Sequence, residues 1–388
     1  MRDNRAALGL AACLLGVAPA AASAQMMIVG NDEKVGWDEK GAPVSHEPGH
    51  DTLSVADISK SDAPRIVATI PLINSIVGPP TNLAIVPSGE IALVANSLTP
   101  GDGGKLVPDD KVYIVDLKAN PPAILGTVTV GKQPSGMAIS KNGQMALVAN
   151  RAEGSVSVLS INSREVKAVD TVTVGAPTDS VAAVAITPDG KRALVAKPAV
   201  NKIALLAIDG GKVTYDKRDL LTGLFPYNVV VTPDGGLALT ADNGANGGSD
   251  GNADTVSVID LAADPPRVID HVTVGDSPEG LVVSPKGDLA VAIEARGSNT
   301  AKTNWFYHPG GAVTALSIDG KKVTRVGEVT VGALPEGAVF SPDGGYLYVG
   351  NFIDQDLSVL KVEGTKLTDT GQRLKLPGHP ASMRGGPQ

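Results

Sequence analysis

The sequence predicts an all-β protein whose short strands repeat and close into a ring, and three observations support this. A tight turn at a glycine is followed, seven residues later, by a residue that ends a strand, as in Gly143 to Asn150. This step recurs every 45 to 57 residues along the chain, and the two chain ends carry complementary parts of one further repeat. A period of this length is typical of propellers, so the predicted fold is a seven-bladed β-propeller.

Each internal repeat contains four strand-like runs of alternating or β-branched residues. In the second repeat the four runs are PSGMAIS, QMALVAN, SVSVLSI and KAVDTVTV. Equivalent sets predict six complete repeats between residues 80 and 376. The turn glycines that mark them are Gly89, Gly143, Gly190, Gly235, Gly287 and Gly344.

The seventh repeat is divided between the two ends of the chain. The N-terminal part supplies MMIVGN, TLSVADI and RIVATIPL, which match strands two, three and four. The missing first strand is HPASM, residues 379–383. We therefore expect a C-terminal strand to join the N-terminal blade and close the ring, which removes the exposed edges of an open array.

Residues 1–24 have the features of a secretory signal peptide. Arg2 and Arg5 precede the apolar run LGLAACLLGV, and small residues lead to a predicted cleavage after Ala24. Lipoprotein processing at Cys13 is the alternative, but the apolar run continues past that residue. We expect a periplasmic or secreted protein with one propeller domain over residues 25–388. No later apolar run is long enough to span a membrane.

Charge and missing motifs narrow the function classes. The formal net charge of −8 argues against nucleic acid as a partner. The chain has no G-x-S-x-G elbow, no phosphate loop and no dinucleotide fingerprint. The expected partner is a small organic molecule, with a protein partner on the loop-rich face as a second possibility.

Two turns carry a family resemblance. The stretches PDGKRALVA from Pro188 and SPDGGYLYVGN from Ser341 resemble the bacterial YVTN-type repeat of lactonase-like seven-bladed propellers. The resemblance implies the fold over the whole chain after residue 24. It also implies a lactonase-like hydrolase or lyase, or a non-catalytic propeller that binds a ligand or another protein. It transfers no catalytic residue.

Four long loops are predicted on one face of the ring, where strand two leads to strand three. They are residues 32–51, 97–110, 243–254 and 295–311. Long loops on a rigid scaffold commonly carry binding sites. The aromatic residues Trp37, Trp305 and Tyr307 fall in these loops, so we expect them to bind an organic substrate. The alternative is a small hydrophobic core that fixes the loops.

Two sets of polar residues are predicted around the channel mouth on that face: the ends of strand two and the starts of strand one. Most repeats carry Asn, Thr, Ser or Ala there, and the exceptions are Lys197, Tyr227, Asp242, Glu279, Glu294 and Glu336. Carboxylates that face one channel repel each other unless a cation or a shared proton lies between them. The alternative is a rim of solvated charges.

These observations predict three groups of site residues. The predicted catalytic residues are Glu279, Glu336, His308 and Arg296. The predicted substrate-binding residues are Tyr227, Asn228, Lys197, Trp305, Tyr307 and Trp37. The predicted ligands of a divalent cation, Ca²⁺ or Mg²⁺ in preference to Zn²⁺, are Asp242, Glu294, His46 and His50. His46 and His50 satisfy H-E-x-x-H, but Pro48 and Gly49 oppose the helix that this zinc motif needs.

Overall fold

The chain forms a ring of seven four-stranded antiparallel sheets, or blades, around a central channel. The structure is a computed structural model that describes residues 25–245 and 247–386. The predicted signal peptide, residues 1–24, lies outside the described residues. The ring of seven all-β blades confirms the predicted fold.

The strands follow one another in the regular pattern that the repeats predict. The first ten are β1 (Met26–Asn31), β2 (Val35–Trp37), β3 (Pro43–Ser45), β4 (Thr52–Asp57), β5 (Arg65–Pro71), β6 (Leu83–Ile85), β7 (Ile91–Pro100), β8 (Leu106–Asp116), β9 (Ala123–Thr129) and β10 (Pro134–Ile139). The next ten are β11 (Met145–Asn150), β12 (Ser155–Asn162), β13 (Glu165–Thr173), β14 (Val184–Ile186), β15 (Arg192–Lys197), β16 (Lys202–Asp209), β17 (Lys212–Leu221), β18 (Pro226–Val231), β19 (Leu237–Asp242) and β20 (Thr255–Asp260). The last ten are β21 (Arg267–Thr273), β22 (Pro278–Val283), β23 (Leu289–Glu294), β24 (Ala312–Asp319), β25 (Lys322–Thr330), β26 (Pro335–Phe340), β27 (Tyr346–Asn351), β28 (Asp356–Glu363), β29 (Lys366–Lys375) and β30 (Pro380–Gly385). Short 3₁₀ turns lie at Asp102–Gly104, Pro177–Asp179 and Pro198–Val200.

Each blade begins with the strand that lines the channel and ends with the outermost strand. Blades 1 to 6 are β6–β9, β10–β13, β14–β17, β18–β21, β22–β25 and β26–β29. Blade 7 has the order β30, β1, β4, β5, so the last strand of the chain completes the blade that the first strand begins. The pairing of Val29 with Met383 sets the register of this closure. Ring closure by the C-terminal strand is therefore confirmed.

Buried aliphatic side chains hold neighbouring blades together. All seven blade-to-blade contacts contain a cluster of such residues. Between blades 6 and 7, Val339 and Tyr348 pack with Met27 and Met383. The closing contact thus resembles the six others, and burial of apolar surface stabilises the ring as one unit.

The turns between strands one and two lie on the face opposite the long loops. At each of the six turn glycines φ lies between 67° and 77°, a region that glycine adopts without strain. In the third repeat Asp189 Oδ1 accepts hydrogen bonds from Thr187 Oγ1 at 2.6 Å and from the Lys191 N–H at 3.0 Å. These bonds keep the turn tight.

The long loops are more ordered than the sequence predicts. Loop 32–51 contains a small hairpin of β2 and β3, and β7 and β8 extend as paired strands into loop 97–110. Gly41 lies against Thr300, and Gly251 lies against Trp305. Loops 32–51, 295–311 and 243–254 therefore touch and form a continuous wall on one face. No helix in the described ranges is long and apolar enough to cross a membrane.

Candidate functional site

The ends of strand two do not ring the channel mouth as the sequence analysis expects. They point into the blades, and the asparagines at this position bind strand three of their own sheet. The Asn150 amide donates to Ser155 and Ser157 at 2.9 Å, and the Asn351 amide donates to Asp356 and Ser358 at 2.8 and 2.9 Å. This position acts as a clamp within each blade, because strand two ends beside the residue that begins strand three.

Asp242 and Glu294 occupy the same clamp position. Asp242 accepts hydrogen bonds from the hydroxyls of Thr240, Thr255 and Ser257 at 2.6 to 2.8 Å. Burial raises the pKa of Asp242 to about 6, against the opposing effect of those hydroxyls. Glu294 accepts from the Gly275 N–H at 2.9 Å, and burial raises its pKa to about 7.

The predicted metal ligands are not brought together. Asp242 and Glu294 are enclosed in blades 4 and 5, whereas His46 and His50 are exposed on loop 32–51. Over residues 25–245 and 247–386, no group of three or more His, Cys, Asp or Glu side chains is placed to hold a metal ion. The donor set expected from the sequence therefore does not form a centre.

Lys197 is also a clamp and does not face the channel. Its ammonium donates to Asp219 at 2.9 Å and to the Val174 carbonyl oxygen at 3.1 Å, and it lies 5.8 Å from the Tyr215 ring centroid. The side chain is 5% exposed. These contacts tie strands two and four of blade 3, so the expected role in substrate binding has no support in the geometry.

The starts of strand one do meet at the channel mouth. Glu279 of blade 5 and Glu336 of blade 6 lie side by side and share a hydrogen bond between their carboxyl groups. Burial raises the pKa of Glu279 to about 7. Burial, and then the neighbouring charge of Glu279, raise the pKa of Glu336 well above its usual range. Glu336 is buried and Glu279 is partly exposed, so one proton is held between two carboxyls at the edge of solvent.

Arg151, which is not among the site residues predicted from the sequence, lies near this pair. It follows the strand-two end Asn150, and its guanidinium lies 5.6 Å from the Tyr227 ring centroid. The positive charge of Arg151 opposes the rise in the pKa of Glu279 and of Tyr227. Burial is the larger effect at Tyr227 and raises its pKa to about 12. The sequence signal for Arg151 is weak: a charged residue at the start of the short loop between β11 and β12.

A second layer orients Glu279. The Asn243 amide, which follows the clamp residue Asp242, hydrogen-bonds Glu279 and opposes the rise in its pKa. The Ser277 hydroxyl donates to Asn243 Oδ1 at 2.6 Å. Because Oδ1 is occupied by Ser277, the Asn243 NH₂ group is the part that faces the carboxyl. Asn228, the predicted neighbour of Tyr227, is buried on the adjacent strand start.

Several buried polar atoms near the starts of strand one, and one atom of Arg151, have no hydrogen-bond partner among the described residues. They are Thr81 Oγ1, Ser135 Oγ, Arg151 Nη1 and Asn228 Nδ2. Thr81 lies two residues before β6, Ser135 is the second residue of β10, and Asn228 is the third residue of β18. Buried polar groups in native proteins are almost always bonded to protein, water or ligand. A cluster of unpartnered donors and acceptors at one end of a channel therefore marks a place that receives a polar molecule.

The segment between β5 and β6, residues 72–82, crosses part of the channel mouth. Ile76 packs against Ala295, Leu334 and Phe352 of blades 5 and 6, and Gly78 lies against Ser135 of blade 2. Below this segment the buried Lys34 ammonium binds Asp32 at 3.0 Å and also binds Asp51 and the Asn74 carbonyl oxygen. The crossing segment is thus fixed by packing and by a buried ion cluster.

The predicted aromatic residues make their ring contacts within the loops. Trp37 packs edge-on against Phe352 with 5.4 Å between centroids, and Phe352 stacks on His379 at 4.9 Å. Trp305 contacts Phe306 at 5.3 Å and is 79% exposed, and Tyr307 lies partly buried beside them. The contacts of Trp37 match the alternative of a small hydrophobic core that fixes a loop.

Arg296 and His308 lie apart from the carboxyl pair. Arg296 donates to Glu328 on the outermost strand of blade 5 at 2.9 Å. His308 Nδ1 lies 3.0 and 3.2 Å from the carbonyl oxygens of Phe306 and Arg296. Of the predicted catalytic residues, the structure brings together only Glu279 and Glu336.

Comparison with known proteins supports the same fold. The family profile described as "Lactonase, 7-bladed beta-propeller" matches residues 107–247. A search of curated proteins finds no match. A proposed 6-phosphogluconolactonase from Bacteroides fragilis is 19% identical, with a TM-score of 0.67 over 94% of this chain and 98% of the other.

Two further solved structures show the same likeness. The periplasmic gluconolactonase of Pseudomonas aeruginosa is 18% identical, with a TM-score of 0.66 over 94% of this chain and 99% of the other. The Kuenenia stuttgartiensis hydrazine synthase is 21% identical, with a TM-score of 0.59 over 80% of this chain and 90% of the other. At these identities the neighbours establish the fold alone. The chain is a seven-bladed β-propeller, and the part of it over residues 107–247 is similar to the lactonase family.

Proposed function

We propose that the protein is an exported, lactonase-like hydrolase that opens a small hydroxylated cyclic ester at Glu279 and Glu336. The observation that carries the proposal is the proton-sharing carboxyl pair beside a guanidinium and a cluster of unpartnered polar atoms. The family profile supports ester chemistry, and two structural neighbours are named for sugar lactones.

In this mechanism Glu279 is the general base. Its pKa of about 7 leaves a substantial fraction of the carboxylate unprotonated near neutral pH while it remains basic enough to accept a proton. The Glu279 carboxylate takes a proton from a water molecule as the water oxygen attacks the lactone carbonyl carbon. Asn243 holds the carboxyl in place through its NH₂ group.

Arg151 stabilises the charge that develops on the carbonyl oxygen. An arginine side chain supplies a delocalised positive charge and several N–H donors. Nη1 of Arg151 has no hydrogen-bond partner in the described part of the chain. Donors aimed at a developing oxyanion in a partly buried site contribute strongly to catalysis. Tyr227 fixes the guanidinium by packing beneath it.

Glu336 is the general acid. Burial and the neighbouring charge of Glu279 raise the pKa of Glu336 well above its usual range, which favours its protonated form. As the bond between the acyl carbon and the ring oxygen breaks, the Glu336 proton passes to the leaving alkoxide, and the proton on Glu279 then restores the shared arrangement. The product is the open-chain hydroxy acid. Thr81, Ser135 and Asn228 offer hydrogen bonds to the substrate hydroxyls.

Export is proposed from residues 1–24, and one structural neighbour is named as periplasmic. Fractionation of cells that express the full chain, followed by N-terminal sequencing, tests this. We expect a periplasmic or secreted protein that begins at Gln25. A full-length protein in the cytoplasmic fraction would contradict it.

The hydrolase is tested with purified protein and glucono-1,5-lactone, corrected for spontaneous hydrolysis. We expect enzymatic turnover, and we expect Glu279→Gln and Glu336→Gln each to lower kcat by about 10²-fold or more. Glu294→Gln is the matched control, because Glu294 is a buried carboxyl with a raised pKa outside the site. Saturable binding of the lactone without turnover would instead indicate the non-catalytic ligand-binding alternative.

A further inference from the structure

A cavity lies at the opposite end of the channel. Its volume is ≈ 570 Å³, within the range of small-molecule sites. Pro87, Lys141, Pro188 and Pro233 line it, and these residues belong to the turns between strands one and two. The cavity therefore opens on the turn face, away from Glu279 and Glu336.

One ring of residues forms much of its wall. Equivalent repeat positions are counted from the entries to strand one in blades 1 to 7, which are Thr81, Ser135, Ala182, Tyr227, Glu279, Glu336 and Ala381. With each entry as position one, the residues at position four are Ala84, Ala138, Ala185, Val230, Val282, Val339 and Arg384. All seven line the cavity. We name them the fourth-position ring. Six members are small and aliphatic, so Arg384 is an exception in a ring that is otherwise apolar.

The Arg384 side chain extends beyond its own blade. It donates from Nε to the Leu83 carbonyl oxygen and from Nη2 to the Met137 carbonyl oxygen, both at 3.3 Å. These acceptors belong to blades 1 and 2, so the guanidinium reaches past the neighbouring blade along the channel wall. Both bonds are long, and they use two of the five N–H donors of the guanidinium.

The cavity supplies little to neutralise this charge. No Asp or Glu of the described residues lines it, and the other charged lining residue is the cation Lys141. Burial lowers the pKa of Arg384 to about 10, so the group is still protonated at neutral pH. Arg384 is partly exposed to the cavity, and a cation in largely apolar surroundings is stabilised when an anion pairs with it.

We propose that this cavity binds an organic anion with an aliphatic body and a single carboxylate, which pairs with the Arg384 guanidinium. The planar guanidinium matches a carboxylate in a two-point hydrogen bond. Ile139, Ile186, Val231 and Val283 extend the apolar wall beside the fourth-position ring and cover the aliphatic body. The inference does not depend on the proposed hydrolase, because it uses none of the residues at the other end of the channel.

Calorimetric titration of the full purified chain with octanoate tests the proposal. We expect saturable binding, with at least tenfold weaker binding of octan-1-ol, which lacks the charge, and of acetate, which lacks the tail. Arg384→Gln is expected to weaken octanoate binding at least tenfold. Arg325→Gln, which removes an exposed guanidinium elsewhere on the ring, is expected to leave it unchanged.

A second variant covers the case in which Arg384→Gln does not fold. Ala185→Leu keeps the charge and fills part of the cavity, so it is also expected to weaken octanoate binding at least tenfold. Glu279→Gln is expected to leave octanoate binding unchanged, which separates this site from the proposed hydrolase. Absence of saturable octanoate binding to the wild-type chain, or equal binding by Arg384→Gln or Ala185→Leu, would overturn the proposal.

Discussion

Two sets of polar residues on the same face of the ring behave differently. The strand-two ends include Asp242 and Glu294, and the strand-one starts include Glu279 and Glu336. All four are carboxyls whose pKa values are raised by burial. The strand-two ends bind groups in or beside their own blade. Glu279 and Glu336 instead bind each other across two blades.

The difference shows which buried charges hold the fold and which form a site. Unpartnered atoms occur in both sets, but Asn31, Asn96 and Glu294 each keep another hydrogen bond that anchors the side chain. Glu336 instead has its hydrogen-bond partner, Glu279, in the adjacent blade. A raised pKa therefore does not by itself identify a functional carboxyl, and the bonding partners decide.

The largest expected effect comes from opening the ring. Deletion of residues 377–388 removes β30, the strand that completes blade 7 and brings Met383 into the contact with blade 6. Both sets of polar residues lose their framework, so we expect the thermal midpoint to fall by about 10 °C or more. A chain that ends at Gly386 keeps β30 and is the control. An unchanged midpoint in the longer deletion would refute closure by this strand.

The next largest effect is expected from substitutions of two loop arginines. Arg151 lies at the carboxyl pair, whereas Arg296 pairs with Glu328 on an outermost strand. Arg151→Gln removes the group proposed to stabilise the oxyanion, so we expect kcat for lactone hydrolysis to fall about 10²-fold. The kcat of Arg296→Gln is expected to stay within about threefold of the wild-type value in the same assay. Equal losses in both variants would refute the assigned role of Arg151.

The pH dependence of kcat/KM measures the titration of Glu279 and Glu336 directly. The base must be unprotonated and the pKa of Glu279 is about 7, so activity should fall about tenfold for each pH unit well below 7. At higher pH, activity should fall again as the pair loses its remaining proton. The same profile measured for Glu294→Gln should be unchanged. An acid limb near pH 4 would indicate that the pair does not supply the base.

The smallest effect is on stability, at Asp242. The pKa of Asp242 rises from 3.8 in the unfolded chain to about 6 in the folded chain. The contribution of this group to stability is therefore fully present below pH 3.8 and is lost as the pH rises to about 6. This loss lowers the free energy of unfolding by about 3 kcal/mol at most. Asp242→Asn should remove this loss, because asparagine fills the same clamp position in blades 2 and 6.

Denaturant unfolding at pH 4 and pH 7.5 measures this effect. We expect Asp242→Asn to be more stable than wild type at pH 7.5 by about 1–3 kcal/mol, and to show a flatter pH profile. Lactone turnover should remain within about twofold. Lower stability of the variant at pH 7.5 would show that the clamp requires the charged carboxylate.

Part of the site can be read from the sequence. Glu279 and Glu336 occupy equivalent repeat positions in adjacent blades, so their contact follows once the ring is known. Arg151 cannot be found this way, because its side chain must cross from blade 2 to blade 4 to reach Tyr227. The expectation that Lys197, Asp242 and Glu294 surround the channel mouth fails because a repeat position shows where a residue lies and not the direction of its side chain.

The sequence by itself determines the ring: the glycine turns, the alternating strands and the divided seventh repeat are local patterns, and local patterns set strand number and closure. The tertiary structure decides which of the exceptional residues share a proton, which clamp a blade, and where Arg384 extends along the channel. Those outcomes depend on contacts between residues far apart in the chain, and burial and charge act on such groups only after the blades have packed.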